Sequence, residues 1–219
     1  MLGFQGKHTI LIYFRLAELR CLQKFMKPVF KVTCMSYALI LPLSSQTALA
    51  DYEDGVEAAF AGDFETAFAE FTIAAQDGLS LAQYNLGILY FTGQGVPQNL
   101  EEAFKWTKEA AEQGHLNAQF NLGSLYLDGQ GTKANVSEGI NWFTRAAKNG
   151  HDNSAYSLAK MYQEGDFVDS DLVKAHAWAA QSEVNQHSEG TLLKNEIAQV
   201  LSDEEIRQAR RLFATWQIE

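Results

Sequence analysis

Residues 82–114 read AQYNLGILYFTGQGVPQNLEEAFKWTKEAAEQG, and residues 118–150 read AQFNLGSLYLDGQGTKANVSEGINWFTRAAKNG. The second stretch is a copy of the first, and matched landmarks such as Trp106 and Trp142 are separated by 36 residues. A third, more divergent copy keeps this spacing with Trp178. A repeat of this length is one supersecondary unit, which buries its apolar face only by stacking on its neighbours. The chain is therefore predicted to be a repeat protein whose function lies on a surface.

Each full copy is predicted to contain two helices. In the first helix, Gly87 is expected to let the second helix approach closely, and the helix is expected to end at Gly93 in a left-handed C-cap. The second helix is expected to begin at Asn99, with Glu102 at capping-box spacing. Apolar residues three and four positions apart give each helix one buried stripe. The next copy repeats these signals at Gly123, Gly129, Asn135 and Glu138.

The period divides the chain into consecutive segments. A shortened helix pair around Gly62 and Asp63 precedes the full copies, and a degenerate third copy follows them. The last segment is predicted to hold two closing helices that cover the open end of the stack, as a one-dimensional array requires. The predicted segments are 1–25 (a mis-called extension), 26–50 (a leader), 51–78, 79–114, 115–150 and 151–186 (helix-pair repeats), and 190–219 (the closing helices).

The closing helices are predicted over Thr191 to Leu201 and Asp203 to Gln217. Ser202 and Glu205 have capping-box spacing at the start of the second one. Its apolar residues form a single stripe that suits a C-terminal cap: Ile206, Ala209, Phe213 and Trp216.

The segment from Met26 to Ala50 has the organisation of a secretory signal peptide. Lys27 and Lys31 precede an apolar run, and small residues follow it up to Ala50. We expect cleavage between Ala50 and Asp51 and a periplasmic or secreted location. Counted from Met1 the leader exceeds the usual length of about 15–30 residues, so we expect Met26 to be the true start.

The alternative for this segment is an uncleaved membrane anchor. The apolar run is shorter than the roughly 20 residues that a spanning helix needs. No stable membrane insertion is therefore expected after processing.

The rest of the chain is strongly acidic. Residues 51–219 contain 11 basic and 26 acidic residues, a formal charge of −15. Such a surface repels phosphate backbones, so nucleic acid is not an expected partner.

No catalytic or metal-binding motif stands out. Both cysteines, Cys21 and Cys34, precede residue 51, which excludes disulfides and thiolate metal sites from the repeats. His115 and His151 occupy equivalent positions of neighbouring repeats, at least about 8–10 Å apart, too far to share one metal. They are expected to be exposed residues near helix starts. No enzyme activity and no cofactor are predicted.

The elements Leu-Gly-x-x-Tyr, Gly-x-Gly and Ala-x-x-Trp-x-x-x-Ala-Ala-x-x-Gly, recurring together at 36 residues, closely resemble the Sel-1-like repeats, relatives of the tetratricopeptide repeats. The resemblance covers about residues 51–186. It implies an all-α, right-handed α-solenoid of stacked antiparallel helix pairs with C-terminal capping helices. It also implies an adaptor for protein–protein contacts, often in the bacterial envelope.

If the repeats follow tetratricopeptide geometry, side chains of the first helices line a peptide groove. Tyr84, Phe120 and Tyr156 would form an aromatic ladder that grips an extended peptide, and Asn85 and Asn121 would bond its backbone. The alternative is that these rings pack between repeats. The predicted groove residues are Tyr84, Asn85, Ile88, Phe91, Phe120, Asn121, Ser124, Leu127, Tyr156, Lys160 and Gln163.

Three functions remain open at this point. The first is a non-enzymatic exported scaffold that binds a protein or peptide partner. The second, implied only by cysteine-rich relatives, is a protein that binds or hydrolyses peptidoglycan or β-lactams; the lack of cysteines in the repeats departs from those relatives. The third is a structural subunit of an envelope complex.

Overall fold

The computed structural model describes residues 43–218, with side chains described from residue 47 onward. The chain divides after Gln46 into two compact units, and the second unit contains the repeats. The described residues form ten helices and no strand. The helices are α1 (Leu43–Ala61), α2 (Phe64–Gln76), α3 (Ser80–Thr92), α4 (Leu100–Glu112), α5 (Leu116–Asp128), α6 (Val136–Lys148), α7 (Asp152–Glu164), α8 (Leu172–Val184), α9 (Gly190–Ala198) and α10 (Asp203–Trp216).

The repeat unit is an all-α solenoid, as predicted. Helices α3 to α8 are three pairs in which every helix has 13 residues. Each packs mainly against the helices before and after it in the chain. The core repeats with the sequence: Leu86, Leu122 and Leu158 are almost completely buried on the first helices. Each such leucine contributes about 1.5–3 kcal/mol on burial.

Small residues on the second helices bring neighbouring repeats close together. The paired alanines at the ends of α2, α4 and α6 have at most 1% of their surface exposed. The close approach expected at Gly87 is confirmed, since a Cβ there would lie 2.7 Å from Thr107 Oγ1. The left-handed C-caps expected at Gly93 and Gly129 are also present, with φ of 74° and 67°.

The predicted N-caps are present, but the full capping box is not formed in the repeats. The Asn99 side chain accepts hydrogen bonds from the backbone of Glu101 and Glu102, as predicted for an N-cap. The reciprocal bond, in which the Glu102 carboxylate would accept from the Asn99 backbone N–H, is missing because that N–H donates to the carbonyl of Tyr90 at 2.9 Å. Asn135 is arranged in the same way, with its N–H bonded to Tyr126.

The second glycine of each Gly-Gln-Gly connection is a docking point between repeats. Gly131 has φ of 70°, and a Cβ built on it would lie 1.9 Å from the carbonyl oxygen of Leu100, in the first turn of α4. Gly95 approaches Phe64 of α2 in the same way, at 2.0 Å. These connections therefore fix each repeat against the one before it.

The closing helices cover the end of the stack. Trp216 of α10 stacks on the buried Trp178 of α8, with ring centroids 4.0 Å apart. The predicted capping box of Ser202 and Glu205 is present. Helix α9 ends at Ala198, three residues before the predicted end, because Leu201 leads into the extended N-cap Ser202.

Helix α1 runs without interruption through Ala50 and Asp51, so the predicted cleavage point lies within a helix. The remaining features predicted for the leader, over residues 1–42, lie outside the described residues. Among the described helices, none combines the length and the apolar character needed to span a membrane.

Candidate functional site

The predicted groove residues lie on the first helix of each full repeat. We call these eleven residues the first-helix face: Tyr84, Asn85, Ile88 and Phe91 on α3, Phe120, Asn121, Ser124 and Leu127 on α5, and Tyr156, Lys160 and Gln163 on α7. Their equivalent positions in the period bring them onto corresponding parts of the three first helices, α3, α5 and α7.

The three ladder aromatics each stack on a histidine that follows 31 residues later in the chain. Tyr84 stacks on His115 with ring centroids 4.4 Å apart. Phe120 stacks on His151 at 5.1 Å, and Tyr156 stacks on His187 at 4.1 Å. Each histidine comes after the glycine that closes the repeat or at the equivalent position. The rings therefore pack between consecutive repeats, the arrangement that the sequence left open as an alternative.

Further contacts hold these aromatic rings in place. Phe120 also packs on Phe143, with centroids 5.2 Å apart. Burial raises the pKa of Tyr84, and the neighbouring side chain of Asn121 opposes this shift. The Tyr156 hydroxyl donates to Glu189 Oε2 at 2.9 Å. All three rings are half-buried, so each offers only one part of its surface to a partner.

Other members of the first-helix face are engaged within their own repeat. Leu127 packs so close to Gly139 of α6 that an added Cβ there would lie 2.7 Å from Leu127 Cδ2. The Ser124 hydroxyl donates to the carbonyl of Phe120. Lys160 forms an ion pair with Glu164 and donates to Gln163. A peptide would therefore meet mainly the α3 part of the face.

The α3 part of the first-helix face carries the most accessible apolar surface. Phe91 is 38% exposed, and Ile88 is half-buried. Leu81, 40% exposed and one turn before Tyr84, lies on the same stripe but is not among the groove residues predicted from the sequence. Spacings of 3, 4 and 3 residues, which place side chains on one helix face, run through Leu81, Tyr84, Ile88 and Phe91. This spacing could have identified Leu81 from the sequence.

The histidines are structural and not exposed, in contrast to the prediction for His115 and His151. His151 is 9% exposed, and His115 is half-buried. Each is the N-cap of the next first helix: Nδ1 of His115 accepts from the backbone N–H of Ala118, and Nδ1 of His151 from that of Ser154. Burial lowers the pKa of both rings. The neutral imidazole is the form that can act as this acceptor.

A buried serine–histidine contact occurs at the start of α7. His151 Nδ1 lies 2.9 Å from Ser154 Oγ. Ser154 is completely buried, so its hydroxyl cannot reach a substrate. The contact is a part of the helix cap and does not have the access that a nucleophile requires. Within residues 43–218, no group of three or more histidine, cysteine or acidic side chains is arranged to hold a metal ion.

Two cavities lie beside the second helices, away from the first-helix face. One, of about 590 Å³, is lined by residues of α2, α4 and their neighbours, including Lys105, Trp106 and Glu109. The other, of about 580 Å³, lies between α6, α8 and the end of α10. None of the eleven predicted groove residues lines either cavity.

The repeats match a known family model, and the chain is similar to solved structures. The Sel1 repeat model matches residues 80–115, 116–151 and 153–182, leaving the helix pair before residue 80 and the closing helices outside the matches. The crystal structure of a Sel1 repeat protein from Oxalobacter formigenes is similar with a TM-score of 0.56 and 26% sequence identity, over 68% of this chain and 49% of that one.

A second solved structure gives a weaker similarity. It is a protective antigen present in uropathogenic Escherichia coli strains and displays an SLR fold; the TM-score is 0.43 at 26% identity, over 77% of this chain and 45% of that one. The chain thus spans about half the length of both solved proteins. No curated protein sequence matches the chain.

Proposed function

Because the chain carries three Sel1 repeats and so belongs to the Sel1 repeat family, we propose that it is a non-catalytic, exported scaffold that binds a protein or peptide partner in the bacterial cell envelope. Sel1 repeat proteins generally mediate protein–protein interactions. The binding surface that we propose is the α3 part of the first-helix face together with Leu81.

The exposed apolar stripe of α3 is the observation that carries this proposal. Leu81 and Phe91 keep 40% and 38% of their surface accessible, although Leu86 and Leu89 of the same helix already supply its buried side. An apolar stripe beyond the needs of the core is typical of an interaction site. The half-buried ring of Tyr84 lies between them and is fixed by its stack on His115, which reduces the entropy lost when a partner binds.

The export part of the proposal rests on the leader pattern of residues 26–50. If the leader is removed after Ala50, residues 51–61 of α1 remain. These residues keep contacts with α2, including Tyr52 packed against Phe71 with centroids 5.7 Å apart. The mature chain would thus retain the first helix pair, whereas an uncleaved segment would leave the protein anchored to a membrane.

Site-specific photocrosslinking in the native cells tests the binding surface. A photoreactive amino acid is placed at Phe91 or, as a matched control, at Leu192, which is 69% exposed on α9. We expect one defined protein to crosslink from position 91 and not from position 192, and this adduct to disappear in a Leu81→Glu variant. Equal crosslinking from both positions would contradict the proposed surface.

Two further measurements address the rest of the proposal. Intact mass after cell fractionation should give a periplasmic or secreted chain beginning at Asp51, and a membrane-bound chain with residues 26–50 attached would show an anchor instead. Incubation with a chromogenic β-lactam and with muropeptides should give no turnover and no binding. A crosslinked partner that stays in stoichiometric complex at high salt would indicate a structural subunit in place of a transient adaptor.

A further inference from the structure

The cavity between α6, α8 and the end of α10 is cationic in a chain that is otherwise acidic. Its volume is about 580 Å³, and we call it the α6–α10 cavity. The lining residues are Asn141, Thr144, Arg145, Lys148, Asn149, Gln181, Trp216 and Gln217. Among these described residues Arg145 and Lys148 are basic and none is acidic, and Lys148 already has a further interaction within the chain. Residues 51–219 as a whole carry a formal charge of −15.

The cavity beside α2 and α4 does not have the same positive lining, so the positive charge of the α6–α10 cavity is not common to all repeats. The two cavities use equivalent positions along the second helices, and Arg145 stands where the earlier cavity has Glu109, 36 residues before. The earlier cavity contains one basic residue, Lys105, and one acidic residue, Glu109. Basic residues in a last helical turn interact favourably with the helix dipole. However, the equivalent helix α4 has no basic residue in its last turn, so such a helix end forms without the counterpart of Arg145.

The α6–α10 cavity offers the groups that recognise a carboxylate. The Arg145 guanidinium lies over the Trp142 ring at 5.1 Å, and its planar fork suits a bidentate bond to a carboxylate. Within the described part of the chain, Arg145 has no acidic side chain within ion-pair distance. The amides of Asn141 and Asn149 flank it and can pair with the backbone of a bound peptide.

The walls of the α6–α10 cavity are held in place before any ligand binds. Gln217 Nε2 donates to Gln181 Oε1 at 2.6 Å, which joins the end of α10 to α8. Gln181 in turn donates to Asn185 at 2.8 Å, and Asn185 donates to the carbonyls of Ala147 and His151. Trp216 is fixed by its stack on Trp178. The bonds span α8, α10 and the junction that follows α6.

We propose that the α6–α10 cavity binds an acidic peptide segment of a protein partner, with Arg145 as the residue that pairs with its carboxylate. The surrounding negative charge disfavours nucleic acid and anionic membranes, whose charge extends over long distances. A carboxylate of a short acidic segment bound at Arg145 lies closer to it than the Debye length of about 8 Å at physiological salt, so salt does not fully screen their attraction. This site is formed by second helices and the closing helix, so it is independent of the binding proposed for the first-helix face.

Fluorescence anisotropy with labelled peptides tests the site on the full chain. The probes are an end-capped hexaglutamate and the uncharged hexaglutamine. We expect hexaglutamate to bind and hexaglutamine to bind at least about tenfold more weakly. Arg145→Glu places in the cavity the residue found at the equivalent position of α4 and should weaken hexaglutamate binding by about fivefold or more.

Lys105→Glu is the matched control, because it makes the same change in net charge at the equivalent α2–α4 cavity. We expect this variant to bind hexaglutamate as the wild type does, and circular dichroism should show unchanged helicity in both variants. Equal weakening by the two variants would overturn the proposal, since it would mean that only the net charge of the protein matters. Binding to vesicles of equal parts phosphatidylglycerol and phosphatidylcholine, without binding of hexaglutamate, would overturn it as well.

Discussion

At the residue scale, the stacked pairs of aromatic rings and histidines decide which side chains are available for binding. His115, His151 and His187 each cover one face of a ring from the preceding repeat. The same histidines cap a helix or a turn through Nδ1. A substitution in one of these stacks therefore changes the interface between two repeats and not only a binding surface.

Phe120→Ala is expected to lower the free energy of unfolding by about 3 kcal/mol, because it removes the contacts of the ring with Phe143 and His151. Phe91→Ala, at an exposed position of the same face, should change it by less than about 0.5 kcal/mol. Urea denaturation followed by circular dichroism measures both. Similar small losses of unfolding free energy for the two variants would show that the Phe120 ring does not contribute to the interface between repeats.

The stability of the protein is expected to depend on the protonation of His151. Burial lowers the pKa of His151 in the folded chain, while the neighbouring Asp152 opposes this shift. The unfolded chain therefore takes up the proton first, near its ordinary pKa of about 6.5. The contribution of the neutral ring to stability is complete above this pH and is lost as the pH falls below it.

The variant His151→Asn isolates this effect, since asparagine is a good N-cap that does not titrate. We expect its unfolding free energy to fall less than that of the wild type between about pH 7 and 5. Parallel curves for wild type and His151→Asn would contradict the assignment.

At the scale of elements, helix ends and connections were predictable because their chemistry is local. Asn99, Gly93 and Ser202 act within one turn of their own helix, so a short sequence window contains the whole interaction. The absence of the second capping-box bond, the one to Glu102, could not be predicted from such a short window. It depends on the bond from Asn99 to Tyr90, which forms only when the connection folds back on α3.

The stacks of the first-helix face could be predicted only in part. The sequence placed Tyr84, Phe120 and Tyr156 at equivalent positions but did not connect them with histidines 31 residues away, because each pair joins two different repeats. The constant spacing was present in the sequence as a signal. The engagement of Leu127 could not be predicted from its position alone, since it depends on the small size of the facing residue, which is Gly139.

Gly131→Ala is expected to destabilise the chain by at least about 2 kcal/mol. The new Cβ would collide with the Leu100 carbonyl, in addition to the strain of its positive φ. Gly150→Ala has a similar φ of 95° but nothing within 4 Å of the added Cβ, so it should cost only about 1–2 kcal/mol of backbone strain. Thermal unfolding compares the two, and an equal loss would mean that α4 moves away without cost.

At the scale of the whole repeat unit, stability is distributed along one dimension. Each helix packs mainly on its neighbours in the chain, so a change at one end is felt mostly by the nearest repeat. The closing helix α10 is the clearest case, because it packs chiefly against α8, through contacts that include those of Trp216 and Gln217.

Trp216→Ala should therefore accelerate amide hydrogen exchange in α8 while leaving α3 and α4 close to the wild type. The lost stack uncovers Trp178, which is 5% exposed in the intact chain, and opens the end of the array. Exchange monitored by mass spectrometry after proteolysis resolves the helices. A uniform acceleration over all repeats would show that the unit unfolds as a single cooperative block.

The stacking of each aromatic ring on the histidine of the following repeat has a consequence for how such genes lengthen. If the codons for residues 115–150 are duplicated in tandem, Phe120 of the first copy meets the histidine that opens the second copy, and Phe120 of the second copy meets His151. The Gly131 contact is likewise restored, because the new neighbour supplies the carbonyl of Val136 at the position of Leu100. Each added repeat therefore brings the contacts that it needs with its neighbours. Unequal recombination can change the number of repeats without requiring a new interface.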